Sequence, residues 1–273
     1  MHMRRVESIR GFLFASIFSL LAVLNLESQE NDKELEMLIV SFPLQGIYIT
    51  PNTPGSKVPS HGTAGFGEEY AIDFVMVQEN GLIKKSYRKS FFEYLFKGLD
   101  LTDFYGWGQT IYSPVSGTVI ETEDGIEERN PVNILADYTN TVKVTKDFIE
   151  HGAPSNAITG NYVMIKTDQN VYALLAHLKN GSIKVKAGQT IGVHDEIGQL
   201  GHSGNSTMPH LHMQFMNSKD YRVAQGIPFV FESYEVKQNY EWVRMHNALP
   251  KAKEIIRYQN RHAPGQAARD ADH

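Results

Sequence analysis

The stretch SGNSTMPHLHMQF (203–215) sets His210 and His212 two residues apart, after a polar turn-forming run and before an apolar one. If 210–216 is a strand, alternation places both imidazoles and Gln214 on one face and Leu211, Met213 and Phe215 on the other. The apolar face packs inward, and the opposite face presents two groups able to bind a metal or move a proton. Pro209 stands at the strand's start, where a missing N–H is tolerated. Upstream, SHGTAGFGEEYAIDF supplies His61, Glu69 and Asp73. In YAIDFVMV, Tyr70, Ile72, Phe74 and Met76 make an apolar face, while Asp73 shares the other with Ala71 and Val75. An aspartate buried there costs several kcal/mol unless a cation or hydrogen-bond donors accompany it. A metal would supply the cation. A further histidine, His177, ends the strand-like run VYALLAH.

These residues need a scaffold, and the sequence describes one. The chain has 273 residues, 41% of them hydrophobic, enough for a substantial core. It contains no cysteine, which excludes disulfides, thiolate nucleophiles and Cys-type zinc sites and leaves eleven histidines as the main candidate ligands. A net charge of −5 provides no global field for nucleic acid, so no nucleic-acid partner is expected. Short runs rich in β-branched and aromatic residues, punctuated by Gly, Pro, Asn and Asp, predict strands. They are 38–42, 46–49, 70–77, 117–123, 140–145, 161–167, 171–177 and 210–216. Strands outnumber helical patterns, so a parallel βαβ architecture is disfavoured. The expected fold is all-β, mainly antiparallel, with short helical insertions.

Two segments interrupt the pattern. Residues 84–105 predict a short helix with Phe91, Phe92, Tyr94, Leu95 and Phe96 as its apolar content, and 124–159 read as a long loop. Either could line a substrate groove. From about 238 a helix is expected, followed by a polar tail. At the other end, Arg4, Arg5 and Arg10 precede an apolar run, Gly11 to Leu24, with acidic residues after it. This order predicts export, by a signal peptide or an uncleaved anchor through residues 11–26, to the periplasm, cell envelope or medium. The expected organisation is therefore 1–36 signal or anchor, 37–237 the domain that carries the histidines and Asp73, and 238–273 extension.

YALLAHL, the glycines at 188, 192, 198, 201 and 204, and GHSGNSTMPHLHMQF together resemble the lysostaphin/LytM-type zinc metallopeptidases of family M23. SPVSGTVIE (113–121) is similar to the family's strand-turn-strand before the core, and SHGT…YAIDF to a divergent first metal motif. The resemblance spans about residues 43–235. It implies an antiparallel sheet with a barrel-sandwich-like core, a Zn2+ ion in a groove, and hydrolysis of peptide bonds, usually in bacterial peptidoglycan. By position, Asp73 and His212 match metal ligands. His177 and His210 match the two histidines that flank the zinc-activated water as catalytic residues.

One departure is evident. The family pattern is His-x-x-x-Asp, and the residue four before Asp73 is Glu69. Zinc accepts carboxylates. Fully extended, however, 69 and 73 stand about 13 Å apart at ~3.3 Å per residue. His61, on a Gly-rich loop, can fold back to the metal and complete a His-Asp-His set, so it is preferred. Two other classes remain. One is a catalytically inactive M23-like module that binds or regulates other cell-wall enzymes. The other is a biotinyl- or lipoyl-type carrier, suggested by SPVSGTVIE and VKAGQTIG, which explains neither Asp73 nor the histidines. His194 and His202 are expected to be exposed turn residues.

Overall fold

The computed structural model describes residues 37–80 and 83–259. The N-terminal signal or anchor expected over 1–36, and the end of the polar tail, lie outside the described residues. The strands are β1 (Leu38–Val40), β2 (Gly46–Ile49), β3 (Ile72–Met76), β4 (Gln78–Asn80), β5 (Ile83–Lys85), β6 (Thr110–Tyr112), β7 (Gly117–Glu123), β8 (Asn161–Lys166), β9 (Tyr172–Leu178), β10 (Thr190–Ile191), β11 (Glu196–Gln199), β12 (Leu211–Met216), β13 (Phe229–Gln238), β14 (Glu241–Ala248) and β15 (Ile256–Tyr258). Among the described residues, three α-helices accompany them: α1 (Phe91–Phe96), α2 (Ile134–His151) and α3 (Asn156–Thr159).

Eleven of these strands form one sheet in the order β1-β13-β15-β2-β3-β12-β9-β8-β7-β10, with β14 on β13. Every pairing in it is antiparallel except β1 with β13. The sheet curls until its ends meet. Ser41 N–H, just after β1, donates to Pro114 O, and Tyr112 N–H donates to Pro43 O, next to the β7 end. The all-β, mainly antiparallel expectation therefore holds. Inside the curl lies one core, with Phe42, Phe74, Phe215, Phe229, Phe231 and Tyr234 among its largest members. Alternation explains who enters it: Ile72 and Phe74 from β3, and Leu211, Met213 and Phe215 from β12. The residues between them turn the other way.

Three expectations give way. Residues 140–145 are not a strand; they lie inside α2, an 18-residue helix within the segment read as a loop. Asn133 caps it, accepting from Leu135 and Ala136 N–H, and Gly152 closes it in the left-handed conformation. The helix expected after 238 is instead a strand hairpin, β13–β14, followed by β15 in the middle of the sheet. The strand-built unit thus continues past residue 237. The short helix expected within 84–105 is present as α1, opened by a capping box between Ser90 and Glu93.

Candidate metal centre

Asp73 on β3 and His212 on β12 are direct cross-strand partners, so the sheet's register alone sets them side by side. Asp73 Oδ1 stands 3.0 Å from His212 Nδ1, and Asp73 Oδ2 stands 3.0 Å from His61 Nε2. Asn52 Nδ2 also donates to Oδ2, at 2.7 Å. One ligand atom from each of His61, Asp73 and His212 falls within 4.8 Å of the others. The loop that carries His61 folds back as expected. Glu69 sits instead in a tight 3-10 stretch, Gly65–Tyr70, and among the described residues it is not in the ligand group.

The remaining bonds decide which ring nitrogens carry protons. Gln214 Nε2 donates to Phe66 O, so its Oε1 faces His212 Nε2 at 2.8 Å and accepts that N–H. Ser60 Oγ donates to Glu68 O, leaving its lone pairs for His61 Nδ1–H at 2.9 Å. In the neutral rings, His212 Nδ1 and His61 Nε2 are therefore both lone-pair atoms, each pressed against a carboxylate oxygen. Two acceptors at 3.0 Å need a positive charge between them. A proton or a metal ion fits that requirement, and the donor set of two nitrogens and a carboxylate is one that zinc takes in open, catalytic sites.

His177 and His210 behave differently. His177 Nδ1–H donates to Ser203 O at 3.0 Å and His210 Nδ1–H to Met208 O at 2.8 Å. Each ring thus turns a free Nε2 lone pair away from that carbonyl. The rings lie 4.7 Å apart, and His210 Nε2 stands 3.6 Å from Asp73 Oδ1. His177 is held in the left-handed region, with φ at 63°, a strain that surrounding structure must hold in place. His177 falls where the β8–β9 register shifts, between the Leu178 and Leu175 pairings, and two glycines approach each other closely beside Ser203. A Cβ on Gly204 would meet Gly160 N at 2.3 Å, and one on Gly160 would meet Ser203 Oγ at 2.4 Å. Only with both bare can the Ser203 carbonyl be placed against His177.

Electrostatics follow the same division. Burial pushes the Asp73 carboxyl up, but His210 nearby and the bonds from His212 and His61 overcome it and hold Asp73 well below the usual carboxylate range. Burial opposes the charge of His212, yet the Asp73 bond and charge outweigh it, pushing His212 up to about 9. His177 falls well below the ordinary histidine value, first through burial and then through His210 and His212. His210 is lowered by burial as well, against the pull of Asp73.

The centre opens into a cavity of about 480 Å³ lined on one side by Thr141, Thr145 and Phe148 of α2 and on the other by Leu174, Ala176 and Gln214. Phe148 meets Phe66 edge to face, with ring centroids 5.1 Å apart, so α2 reaches across to the loop that leads into β3. Asn205 also lines the cavity. Its amide donates to Thr145 Oγ1, and its Oδ1 is buried without a protein partner.

Sequence reading missed the support beneath the 201–207 loop. His202, expected to be exposed, is fully buried. Its Nε2 lies 3.4 Å from Asp137 Oδ1, and Asp137 also pairs with Arg129 Nε. Arg129 donates onward to the carbonyls of Gly204 and Ser206. Burial raises the Asp137 carboxyl, but His202, Arg129 and the Asn133 N–H prevail and lower it. This lock ties α2 to the 201–207 loop. His194, by contrast, is half-buried in a turn, with its ring near Tyr258.

Residues 133–224 match the family model of Peptidase family M23. That span includes α2, β8 to β12, His177, His210 and His212; His61 and Asp73 precede it. The resemblance read from the motifs therefore stands. Among solved structures, the chain is similar to the catalytic domain of the antimicrobial peptidase lysostaphin from Staphylococcus simulans, at 18% identity and a TM-score of 0.34, covering 67% of this chain and 88% of that one. It is also similar to a zinc-containing peptidase from Vibrio cholerae, at 18% identity and a TM-score of 0.34, covering 66% of this chain and 37% of that one.

Proposed function

From the M23 peptidase segment at residues 133–224 and the centre it helps to build, we propose that the chain is a zinc metallo-endopeptidase. Its substrate on this reading is the peptide of bacterial peptidoglycan, and its place is the cell envelope. The observation that carries the proposal is the convergence of His61 Nε2, an Asp73 oxygen and His212 Nδ1, with both nitrogens bearing lone pairs.

Zinc held by these three residues supplies a Lewis acid that activates water and polarises a peptide carbonyl. Everything else is done by the chain. Gln214 and Ser60 fix the tautomers of His212 and His61, so that neither ring must flip to bind. His177 and His210, neutral because they are buried, keep Nδ1–H on a carbonyl and offer Nε2 to the reacting atoms. Between them they accept the proton of the attacking water and return it to the leaving amine, so that one water and one peptide bond become a carboxyl and an amine. The cavity takes an extended peptide between α2 and β9.

The test joins metal analysis of the purified protein to digestion of purified peptidoglycan. Wild type is expected to carry zinc and release peptide fragments, His212→Ala to lose both. His210→Ala should keep its zinc while turnover falls by about 10²–10⁴-fold. Zinc retained in His212→Ala overturns the ligand set. Zinc without hydrolysis in the wild type overturns the enzyme reading in favour of a binding module.

A further inference from the structure

Helix α1 turns its aromatic side chains the wrong way for a core helix. Tyr94 alone is buried, against Leu99, Leu101, Phe104 and Val132. Phe91, Phe92 and Phe96 are 55%, 71% and 75% exposed. At 3.6 residues per turn, Phe91, Leu95, Phe92 and Phe96 fill a continuous arc of about 140° on the outward side. Three phenylalanines on six residues are not the scattered apolar surface that needs no explanation. The neighbouring α2 exposes Leu135 and Tyr138 near its own start.

The flanks carry the second observation. In a chain of net charge −5, residues 84–97 hold Lys84, Lys85, Arg88, Lys89 and Lys97 against Glu93 alone. All five basic residues are exposed. Lys85, Lys89 and Lys97 make no ion pair among the described residues. Glu93 is held at the solvent-facing capping box, accepting from Ser90 N–H. The nearby Asp100 is likewise occupied by Thr102 and Asn130. Over residues 84–103 five basic groups stand against Glu93, Asp100 and Asp103, which leaves a net positive charge of two around an aromatic ridge.

We propose that α1 and its basic flanks dock on an anionic phospholipid surface. The phenylalanines enter the headgroup–acyl boundary and the lysines meet lipid phosphates and carboxylates. Charge complementarity selects this occupant: a protein groove would match the aromatic arc but has no need of five cations around it. At six residues α1 lies on the membrane, and among the described residues no helix is long and apolar enough to cross one. The contact is separate from the metal centre and does not rest on the peptidase reading.

The experiment uses the full chain with vesicles of phosphatidylcholine, with and without phosphatidylglycerol, read by flotation and by hydrogen exchange along the sequence. Localisation matters because residues 11–24 are themselves apolar. Anionic vesicles are expected to protect 84–99 from exchange, and neutral ones are not. Lys89→Glu with Lys97→Glu should lower the anionic-dependent partition by about tenfold or more. Phe92→Ser with Phe96→Ser should do the same, with zinc content unchanged in both variants. Binding that protects only the N-terminal residues overturns the proposal. So does loss of self-association, rather than of vesicle binding, in the two variants, since the ridge would then join copies of this chain.

Discussion

Among the described residues two aspartates are buried, and each faces a histidine. Asp137 faces His202 with Arg129 built in beside it, so its charge is answered by the chain itself. Asp73 faces three imidazoles and an asparagine amide but neither lysine nor arginine. The first is closed and complete. The second is answered only by His212, whose raised pKa makes its ring the counter-charge, and that charge rests on a proton that a metal ion can replace. A buried carboxylate whose cation is covalently present is a fastening; one whose counter-charge is a replaceable proton is a receptor.

That contrast is open to direct attack. The largest effect is expected from Asp73→Asn, which should abolish zinc binding and turnover together and, in the chelator-treated protein, bring the His212 pKa down from about 9, read by NMR titration. A His212 that keeps its raised pKa in that variant would show that Asp73 is not its counter-ion. Asp137→Asn should do the reverse: it retains zinc but destabilises the fold by about 2–3 kcal/mol, less than the ~3–5 kcal/mol of a fully buried pair because Arg129 is partly exposed. The pH dependence has a definite sign. The folded-state pKa of Asp137 is depressed, so its stabilisation is fully present above the unfolded value near ~3.9 and is lost as pH falls through the folded one. Denaturant melts of wild type and Asp137→Asn should differ fully at neutral pH and converge in acid. The smallest effect is expected from Gln214→Leu, which frees the His212 tautomer and should weaken zinc affinity by about 10–100-fold, measured by competition with a chelator. An unchanged affinity would mean that Gln214 only fills space.

The legibility of the two sites differs for a physical reason. The Asp73 centre is written in strand alternation and in short motifs, so four of its residues could be placed from local pattern, with His61 placed by chain reach. The Asp137 lock joins residues 129, 137 and 202, and nothing local links them. Its helix was hidden as well, because Thr141, Val142, Val144 and Thr145 read as strand formers while the capping signals, Asn133 and Gly152, stand a full helix length apart. The C-terminal segment failed in the opposite direction. Glu, Arg, Ala and Lys favour helix there, but pairing with β13 and β2 decides the outcome, as tertiary context overrides propensity.

The position of β15 has a consequence in time. It pairs β13 on one side and β2 on the other, so residues 46–49 reach the rest of their half of the sheet only through residues 256–258. No closed ladder can form while that strand is still being synthesised, and the sequence separation of the pairing makes its formation slow. The metal centre stands on β3, β12 and β9, whose pairings do not involve β15; what waits for residues 256–258 is the join between that part of the sheet and β13.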